Sequence, residues 1–98
     1  MKRKETLDNA IRCVCGQREK DYGKPEESFE IIAEFWRTYV RGKHDSDIPF
    51  TGDDVSALMS LLKLGRIACG QTHEDNWIDL AGYAACGCEI QTEKGART

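Results

Sequence analysis

The sequence predicts an all-α fold, a four-helix antiparallel bundle-like domain that takes up residues 1–98 as one unit. Three observations favour it. The chain of 98 residues has only two prolines, its β-branched residues are few beside many Ala, Leu, Glu and Lys, and apolar residues recur at helical spacing in four segments. A domain of this length buries only a modest core, so we expect oligomerisation to complete the bundle.

The first helix is predicted from about Thr6 to Lys20, behind a basic arm of residues 1–5. Its apolar residues recur every three or four positions, as one face of a helix requires. They are Leu7, Ala10, Ile11, Val14 and Cys15. Gly23 then supplies the left-handed backbone conformation in which many helices end.

The second helix is predicted from about Pro25 to Arg41. Proline suits the first helical position, where its missing N–H would have no partner, and the acids Glu26 and Glu27 favour the positive end of the helix dipole. The apolar stripe of this helix comprises Phe29, Ile32, Ala33, Trp36 and Val40. Gly42 marks the predicted end of the helix.

The third helix is predicted from about Gly52 to Ala68, with Thr51 and Asp54 at the spacing of a capping box. It is apolar almost all round, which is typical of a helix at the centre of a bundle. Its polar strip consists of Ser56, Ser60, Lys63 and Arg66.

The fourth helix is predicted from about His73 to Gln91, before a frayed tail of residues 92–98. Gly82 and Gly87 lie inside it, and each costs about 1 kcal/mol relative to alanine. We therefore expect another backbone to approach closely at these two positions.

Composition and charge exclude several classes of protein. The net charge is −3 and the pI is about 5.4, which argues against a strongly basic nucleic-acid-binding domain. No apolar run reaches the roughly 18 residues of a membrane span, and no apolar stretch follows the basic start as it would in a secretory signal. The five cysteines are an odd number, which together with the missing export signal indicates reduced thiols in a cytoplasm.

Two strips of acidic residues are the candidates for a metal site. Glu27, Glu30 and Glu34 share one face of the second helix. Asp75, Asn76 and Asp79 form a second strip on the fourth helix, with Tyr83 one turn on. Two facing strips can hold Mg²⁺, a hard cation that binds oxygen ligands in an octahedron. The alternative is that both strips are solvated helix faces, as most glutamates on helices are.

Cations occur in two places that suit a phosphate. Lys63 and Arg66 lie on the polar strip of the most apolar helix, where each must reach solvent, contact a phosphate or form a salt bridge to an acid. Arg18, Tyr22 and Lys24 lie at the turn between the first two helices, and an aromatic ring with cations suits a nucleobase and its phosphates. The alternative for this turn is the ordinary cationic end of a helix.

Four stretches combine these residues in a fixed order and spacing. They are Arg18-x-x-x-Tyr22-Gly23, Phe29-x-x-Ile32-Ala33-x-x-Trp36, Asp54-Val55-x-x-Leu58-Met59-x-x-Leu62-Lys63-x-x-Arg66 and Asp75-Asn76-Trp77-Ile78-Asp79-x-Ala81-Gly82-Tyr83-Ala84-Ala85. Together they resemble a family of small phage and prophage proteins of unknown function. The resemblance covers about residues 18–90 and implies a viral origin, a helical domain and a location in the cytoplasm of a bacterial host.

A more distant resemblance bears on chemistry. Glu27-Ser28-Phe29-Glu30 is similar to the E-x-x-E pair of the MazG-like all-α nucleoside triphosphate pyrophosphohydrolases, and Asn76-Trp77-Ile78-Asp79 is similar to their E-x-x-D pair with Asn in place of the first acid. This resemblance implies Mg²⁺ held over a triphosphate by Glu27, Glu30, Glu34, Asp75 and Asp79. It also implies that Lys63 and Arg66 contact the phosphates.

The sequence therefore predicts a phage protein that binds a nucleotide or a nucleotide-derived ligand. The finer prediction is Mg²⁺-dependent hydrolysis to a monophosphate and pyrophosphate, with Glu27, Glu30, Glu34 and Asp79 as the catalytic residues. Two alternatives stay open: a non-catalytic protein that sequesters the nucleotide, and a helical adaptor of phage development that binds other proteins. We expect a homodimer or a larger assembly, and we expect neither nucleic acid nor a membrane as a partner.

Overall fold

The computed structural model describes residues 1–16, 20 and 23–93. Those residues form helices and no strand, so the predicted all-α fold class is confirmed. The helices are α1 (Arg3–Cys15), α2 (Pro25–His44), α3 (Gly52–Ala68) and α4 (Glu74–Glu93). None of the helices in this described part is long and apolar enough to cross a membrane.

α1 begins at Arg3, earlier than the predicted Thr6, so most of the predicted basic arm belongs to the helix. Glu5 lies in the first turn, where the helix dipole favours an acid. Lys4 Nζ forms an ion pair with Asp8 Oδ2 at 2.9 Å, one turn along the same helix. These local interactions stabilise the additional turn.

α1 ends at Cys15 and not at the predicted Lys20. Gly16 follows directly after the last residue of the helix. A Cβ added there would lie 2.5 Å from the backbone oxygen of Arg12, so this glycine allows the chain to leave the helix. Gly23 has φ 82°, the left-handed conformation predicted for it.

α2 begins where predicted but continues past Gly42 to His44. A glycine weakens a helix without ending it, and Lys43 and His44 place basic side chains at the negative end of the helix dipole. The helix ends at Asp45, which adopts a left-handed conformation (φ 54°, ψ 38°) and donates its N–H to the backbone oxygen of Arg41.

α3 begins and ends where predicted. The backbone N–H of Thr51 donates to Asp54 Oδ2 at 2.9 Å, and the backbone N–H of Asp54 donates to the Thr51 side chain, which completes the predicted capping box. The start of this helix is thus set by interactions within four residues of sequence.

α3 and α4 pack as an antiparallel pair. Gly52 at the start of α3 lies next to Ile90 near the end of α4, and Lys63 near the end of α3 pairs with Asp79 near the start of α4. This pairing places the polar strip of α3 against α4.

The glycines of α4 are points of close approach to its neighbours. A Cβ added at Gly87 would lie 2.9 Å from Ser56 Cβ on α3, and a Cβ added at Gly82 would lie 3.1 Å from Val14 Cγ1 on α1. At both glycines the nearest atoms belong to a neighbouring side chain. We expected a neighbouring backbone instead. α4 thereby packs against α3 on one side and α1 on another.

The segment between α2 and α3 doubles back along α2. Arg37 donates two hydrogen bonds to the carboxylate of Asp47, at 2.6 and 2.7 Å, and the ring of Phe50 stands edge-on to that of Trp36 with 5.9 Å between centroids. α3 consequently starts beside the N-terminal half of α2. There Glu30 Oε1 accepts a hydrogen bond from the first backbone N–H of α3 at 3.0 Å.

The core of one chain is thin. Its buried apolar residues, within the part of the chain that the structure describes, are Ala10, Ala33, Val55, Ile78, Cys86 and Ile90. Val55 and Ile90 are the largest fully buried side chains, whereas Leu61 on α3 is 61% exposed and Phe35 on α2 is 70% exposed.

The prediction that α3 lies at the centre of a bundle is wrong for a single chain. α3 packs against α2 and α4, but the side facing away from them carries the exposed leucines Leu58, Leu61 and Leu64. No other helix of the described chain covers that side. The complete four-helix bundle and its completion by oligomerisation stay predictions.

Candidate functional site

A pocket of about 140 Å³ opens where α1, α2 and α4 meet. Two small residues of α4, Gly82 and Cys86, line it and fill little of the space between the helices. Cys13 of α1 and Ser28 of α2 also line the pocket. The packing of α1 and α2 against small residues of α4 therefore creates the cavity.

Two aromatic rings form part of the pocket wall. The centroids of Phe29 on α2 and Tyr83 on α4 are 6.3 Å apart, and the ring planes are inclined by 40°, a distance at which aromatic pairs attract each other. Both residues are half-buried, so each ring is held in place by its neighbours. The two rings therefore offer aromatic surface to the pocket.

Among the described residues, Asp79 is the charged residue that lines the same pocket. Its Oδ2 lies 2.8 Å from Nζ of Lys63, whose side chain is only 11% exposed while that of Asp79 is 32% exposed. A buried ammonium group needs a charged or hydrogen-bonding partner, and Asp79 is the one found here. The ion pair therefore fixes the orientation of the carboxylate at the pocket wall.

A shallow groove borders the pocket at Gly23, which lines both. Within the described residues, Lys20, Lys24 and Glu27 contribute charged side chains to the groove, so positive charge exceeds negative among them. The groove also lies at the first turn of α2, where the helix dipole favours an anion. An aromatic pocket and a basic groove are thus adjacent.

The cations at the turn between α1 and α2 are only partly described. Lys24, a predicted phosphate contact, is exposed and lines the groove. Arg18 and Tyr22, predicted with it, lie outside the described residues. Lys20 joins the groove although the sequence did not single it out.

The other two predicted phosphate contacts, Lys63 and Arg66, lie in different environments. Lys63 is buried and forms the ion pair with Asp79, which is the salt-bridge alternative stated for it. Arg66, near the end of α3, is exposed. A phosphate contact by either residue stays a prediction.

Three of the predicted metal ligands lie on α2 and point to different surroundings. Glu27 is exposed at the groove, and Glu34 is exposed farther along the helix. Glu30 is half-buried and accepts the hydrogen bond from Gly52.

The predicted Mg²⁺ ligands lie apart in the described chain, and a Mg²⁺ site stays a prediction. Glu30 and Asp79 bond to α3 at Gly52 and Lys63, positions separated by about 16 Å along the helix axis. Asp75 is exposed at the start of α4. In the described residues, no three of the five predicted carboxylates come within 4.8 Å of one another, so we derive no chemical step through a metal ion.

Another group of acids was not predicted. Glu26 of α2 and Glu89 and Glu93 of α4 bring carboxylate oxygens within 4.8 Å of one another. No sequence signal pointed to it, because the three residues meet only through the packing of α2 on α4. Exposed acidic groups of this kind are common in proteins without a bound ion.

The aromatic wall of the pocket was not predicted from the sequence. Phe29 was assigned to the apolar stripe of α2, and Tyr83 was placed one turn after the acidic strip of α4 without a part in ligand binding. A signal was available, since Tyr83 lies four residues after Asp79 and therefore on the same face of α4.

Comparison with known proteins shows relatives in phages. A family described as a domain of unknown function (DUF6378) matches residues 5–91. The Gene 55 protein of Mycobacterium phage L5 is 41% identical over 91 residues, which cover 93% of this chain and 55% of that protein. For the Gene 55 protein of Mycobacterium phage D29 the identity is 41% over 87 residues, or 89% of this chain and 54% of that protein.

The chain spans about half the length of these curated relatives. No solved structure matches it. The predicted resemblance to phage proteins of unknown function is confirmed, whereas the resemblance to MazG-like enzymes stays a prediction.

Proposed function

The chain belongs to the family described as a domain of unknown function (DUF6378), and from the geometry of its pocket we propose that it binds a nucleotide or a nucleotide-derived ligand. One observation carries the proposal. In the described part of the chain, an aromatic pocket with the oriented carboxylate of Asp79 borders a groove that carries Lys20 and Lys24. The aromatic rings and the hydrogen-bond acceptor suit a nucleobase, and the cations suit the phosphates.

The size of the pocket supports a base-sized occupant. At about 140 Å³ it is smaller than the roughly 300–1,000 Å³ of pockets that enclose a drug-sized ligand. It therefore suits one planar ring against Phe29 and Tyr83, with the rest of the ligand outside. Asp79 would accept a hydrogen bond from an N–H or amino group of that ring, because an ionised carboxylate is an acceptor only.

The groove supports an anionic remainder of the ligand. Lys20 and Lys24 would contact phosphate oxygens as positive point charges, and the first turn of α2 adds its dipole. Because the groove meets the pocket at Gly23, a ligand can occupy both at once.

Mg²⁺-dependent hydrolysis of a nucleoside triphosphate is the finer form of the proposal. It requires Glu27, Glu30, Glu34, Asp75 and Asp79 to act on one metal ion, in an assembly or a ligand-bound state that brings them together. Sequestration without turnover is favoured by the fact that Glu30 and Asp79 are both engaged within the protein.

A protein-binding adaptor is a candidate from another class. The exposed apolar residues of α2 and α3, such as Phe35 and Leu61, favour it, because contiguous exposed apolar surface marks interaction sites. An adaptor would not require the pocket to bind anything, and this separates the two candidates.

Calorimetric titration with nucleoside triphosphates, monophosphates and nucleosides, with and without Mg²⁺, tests the binding proposal. Asp79→Asn and Lys24→Gln should each weaken binding about tenfold, or about 1.4 kcal/mol. Two matched controls carry the same chemical change outside the pocket, the groove and the predicted metal ligands: Asp8→Asn on α1, where Asp8 pairs with Lys4, and Lys43→Gln on α2. Both should bind within about threefold of the unmodified chain.

Asp79→Asn leaves Lys63 buried beside a neutral group, so Phe29→Leu provides a second variant that keeps the ion pair. It should weaken nucleosides and nucleotides alike, because it removes only the ring contact. Failure of every nucleotide and nucleoside to bind the folded chain would contradict the proposal.

Pyrophosphate release separates hydrolysis from sequestration. Glu30→Gln removes the charge but keeps an oxygen that can accept the hydrogen bond from Gly52. Mg²⁺-dependent release that is lost in this variant would establish a hydrolase. Tight binding without release, equal in the presence and absence of Mg²⁺, would establish sequestration.

A further inference from the structure

α2 carries an apolar stripe on its solvent side. Ile31, Phe35 and Tyr39 follow one another at intervals of four residues, which places them along one face of the helix. They are 56%, 70% and 64% exposed. No helix of the described chain covers this face, here called the α2 stripe.

Charge is divided along the same helix. The acids of α2 occupy its first part, as Glu26, Glu27, Glu30 and Glu34, and the bases follow, as Arg37, Arg41 and Lys43. Glu27, Glu34 and Arg41 recur at seven-residue intervals, so they form one line along the helix. This line runs on the Ile31 side of the α2 stripe and away from Tyr39. One edge of the stripe is thus acidic at the start of the helix and basic near its end.

The accessible surface is large for a chain of this mass. It measures 7114 Å², whereas a compact monomer of 11.1 kDa exposes about 5,700 Å². The excess of about 1,400 Å² lies within the area that one partner buries in a large, obligate dimer interface. The residues of the α2 stripe contribute to this excess.

We propose that the α2 stripe is a dimer interface in which α2 packs antiparallel against α2 of a second copy. A two-fold axis brings the same patch of both copies together, so Ile31 of each copy would pack against Phe35 of the other. Antiparallel packing places Glu27 of each copy opposite Arg41 of the other, so the interface contains this pair of opposite charges two times. Parallel packing would instead place like charges together.

The same geometry contains one unfavourable contact. Glu34 lies midway between Glu27 and Arg41 in sequence, so the two copies of Glu34 face each other near the two-fold axis. Like charges in this position oppose association. Neutralising Glu34 should therefore strengthen the dimer, an effect that no apolar interface by itself predicts.

This inference does not rest on nucleotide binding, because the α2 stripe lies outside the pocket and its partner is another copy of the chain. If the partner of this surface were a different protein, the purified chain would be a monomer. The oligomeric state of the purified chain therefore decides between the two.

Sedimentation equilibrium of the 98-residue chain tests the interface. Phe35→Glu should raise the dissociation constant at least a hundredfold. Ile11→Glu on α1 is the matched control, since Ile11 is 57% exposed and lies outside the α2 stripe, and it should leave the constant within threefold. Circular dichroism confirms that both variants are helical. A monomer at every concentration, or equal effects of the two substitutions, would overturn the proposal.

Charge exchange tests the antiparallel orientation. Glu27→Arg and Arg41→Glu should each raise the dissociation constant about tenfold, and the double variant should restore it to within threefold. Glu34→Gln should lower it severalfold. A dimer in which the double variant is no better than the single ones, and Glu34→Gln changes nothing, would refute antiparallel pairing.

Discussion

Ser56 and Gly87 form a close contact between α3 and α4. A Cβ at Gly87 would lie 2.9 Å from Ser56 Cβ, so Gly87→Ala should lower the free energy of unfolding by about 1–2 kcal/mol despite the better helix propensity of alanine. Gly65→Ala on α3 is the control, because nothing lies within 4 Å of the added Cβ; it should raise the same free energy by up to about 1 kcal/mol. Urea unfolding measures both, and equal effects would argue against the close packing.

The hydroxyl group of Ser56 is expected to lower the free energy of unfolding. Its oxygen is buried and has no hydrogen-bond partner, and a buried hydroxyl without a partner destabilises a protein by about 1–3 kcal/mol. Ser56→Ala should therefore raise the free energy of unfolding by about 1 kcal/mol, measured in the same way. A clear loss of stability would show that the hydroxyl has a partner in solution.

At the scale of elements, Arg37 and Asp47 hold the segment that follows α2. The guanidinium group of Arg37 hydrogen-bonds to Asp47 and lowers the pKa of that carboxyl, while Asp47 raises the pKa of Arg37. In the unfolded chain Asp47 titrates near its ordinary pKa of about 3.9. The pair therefore stabilises the fold above that pH, and this contribution is lost as the pH falls through the lower pKa of the folded state.

Asp47→Asn isolates this effect. At neutral pH it should lower the unfolding temperature, and the difference from the unmodified chain should shrink as the pH is lowered below 4. Asp45→Asn is the control, since asparagine accepts the left-handed conformation of the helix end. A difference that stays constant with pH would show that the pair does not stabilise the fold.

Element boundaries could be predicted where local chemistry decides them. The capping box of Thr51 and Asp54 gave the start of α3, and Pro25 gave the start of α2. The end of α2 was misplaced because Gly42 is tolerated inside a helix and Asp45 provides the left-handed end. The doubling back of the next segment depends on Arg37 and Asp47, which are ten residues apart, and periodicity carries no such information.

At the scale of the molecule, the candidate site was predictable in its chemistry but not in its geometry. Asp79 and Lys63 were singled out on separate helices, and the structure joins them at 2.8 Å. The acidic strips were expected to converge, yet Glu30 instead bonds to the first N–H of α3. Helical spacing shows which residues share a face, but the direction of that face depends on how helices pack.

The thin core leads to a prediction about the assembled molecule. If dimerisation through α2 completes the fold, unfolding is coupled to dissociation. Each tenfold rise in protein concentration then adds about 1.4 kcal/mol to the apparent free energy of unfolding. Thermal unfolding over a range of concentrations measures this effect, and Phe35→Glu should abolish it. An unfolding temperature independent of concentration in the unmodified chain would point to a monomer.

Amide NMR of the isotope-labelled chain, titrated with a nucleotide and with its parent nucleoside, tests the central claim most directly. Binding in the pocket predicts that both ligands shift the signals of Phe29, Asp79 and Tyr83, and that only the nucleotide shifts those of Lys20 and Lys24. Shifts confined to the two lysines, or none with either ligand, would contradict the claim that the pocket holds a nucleobase.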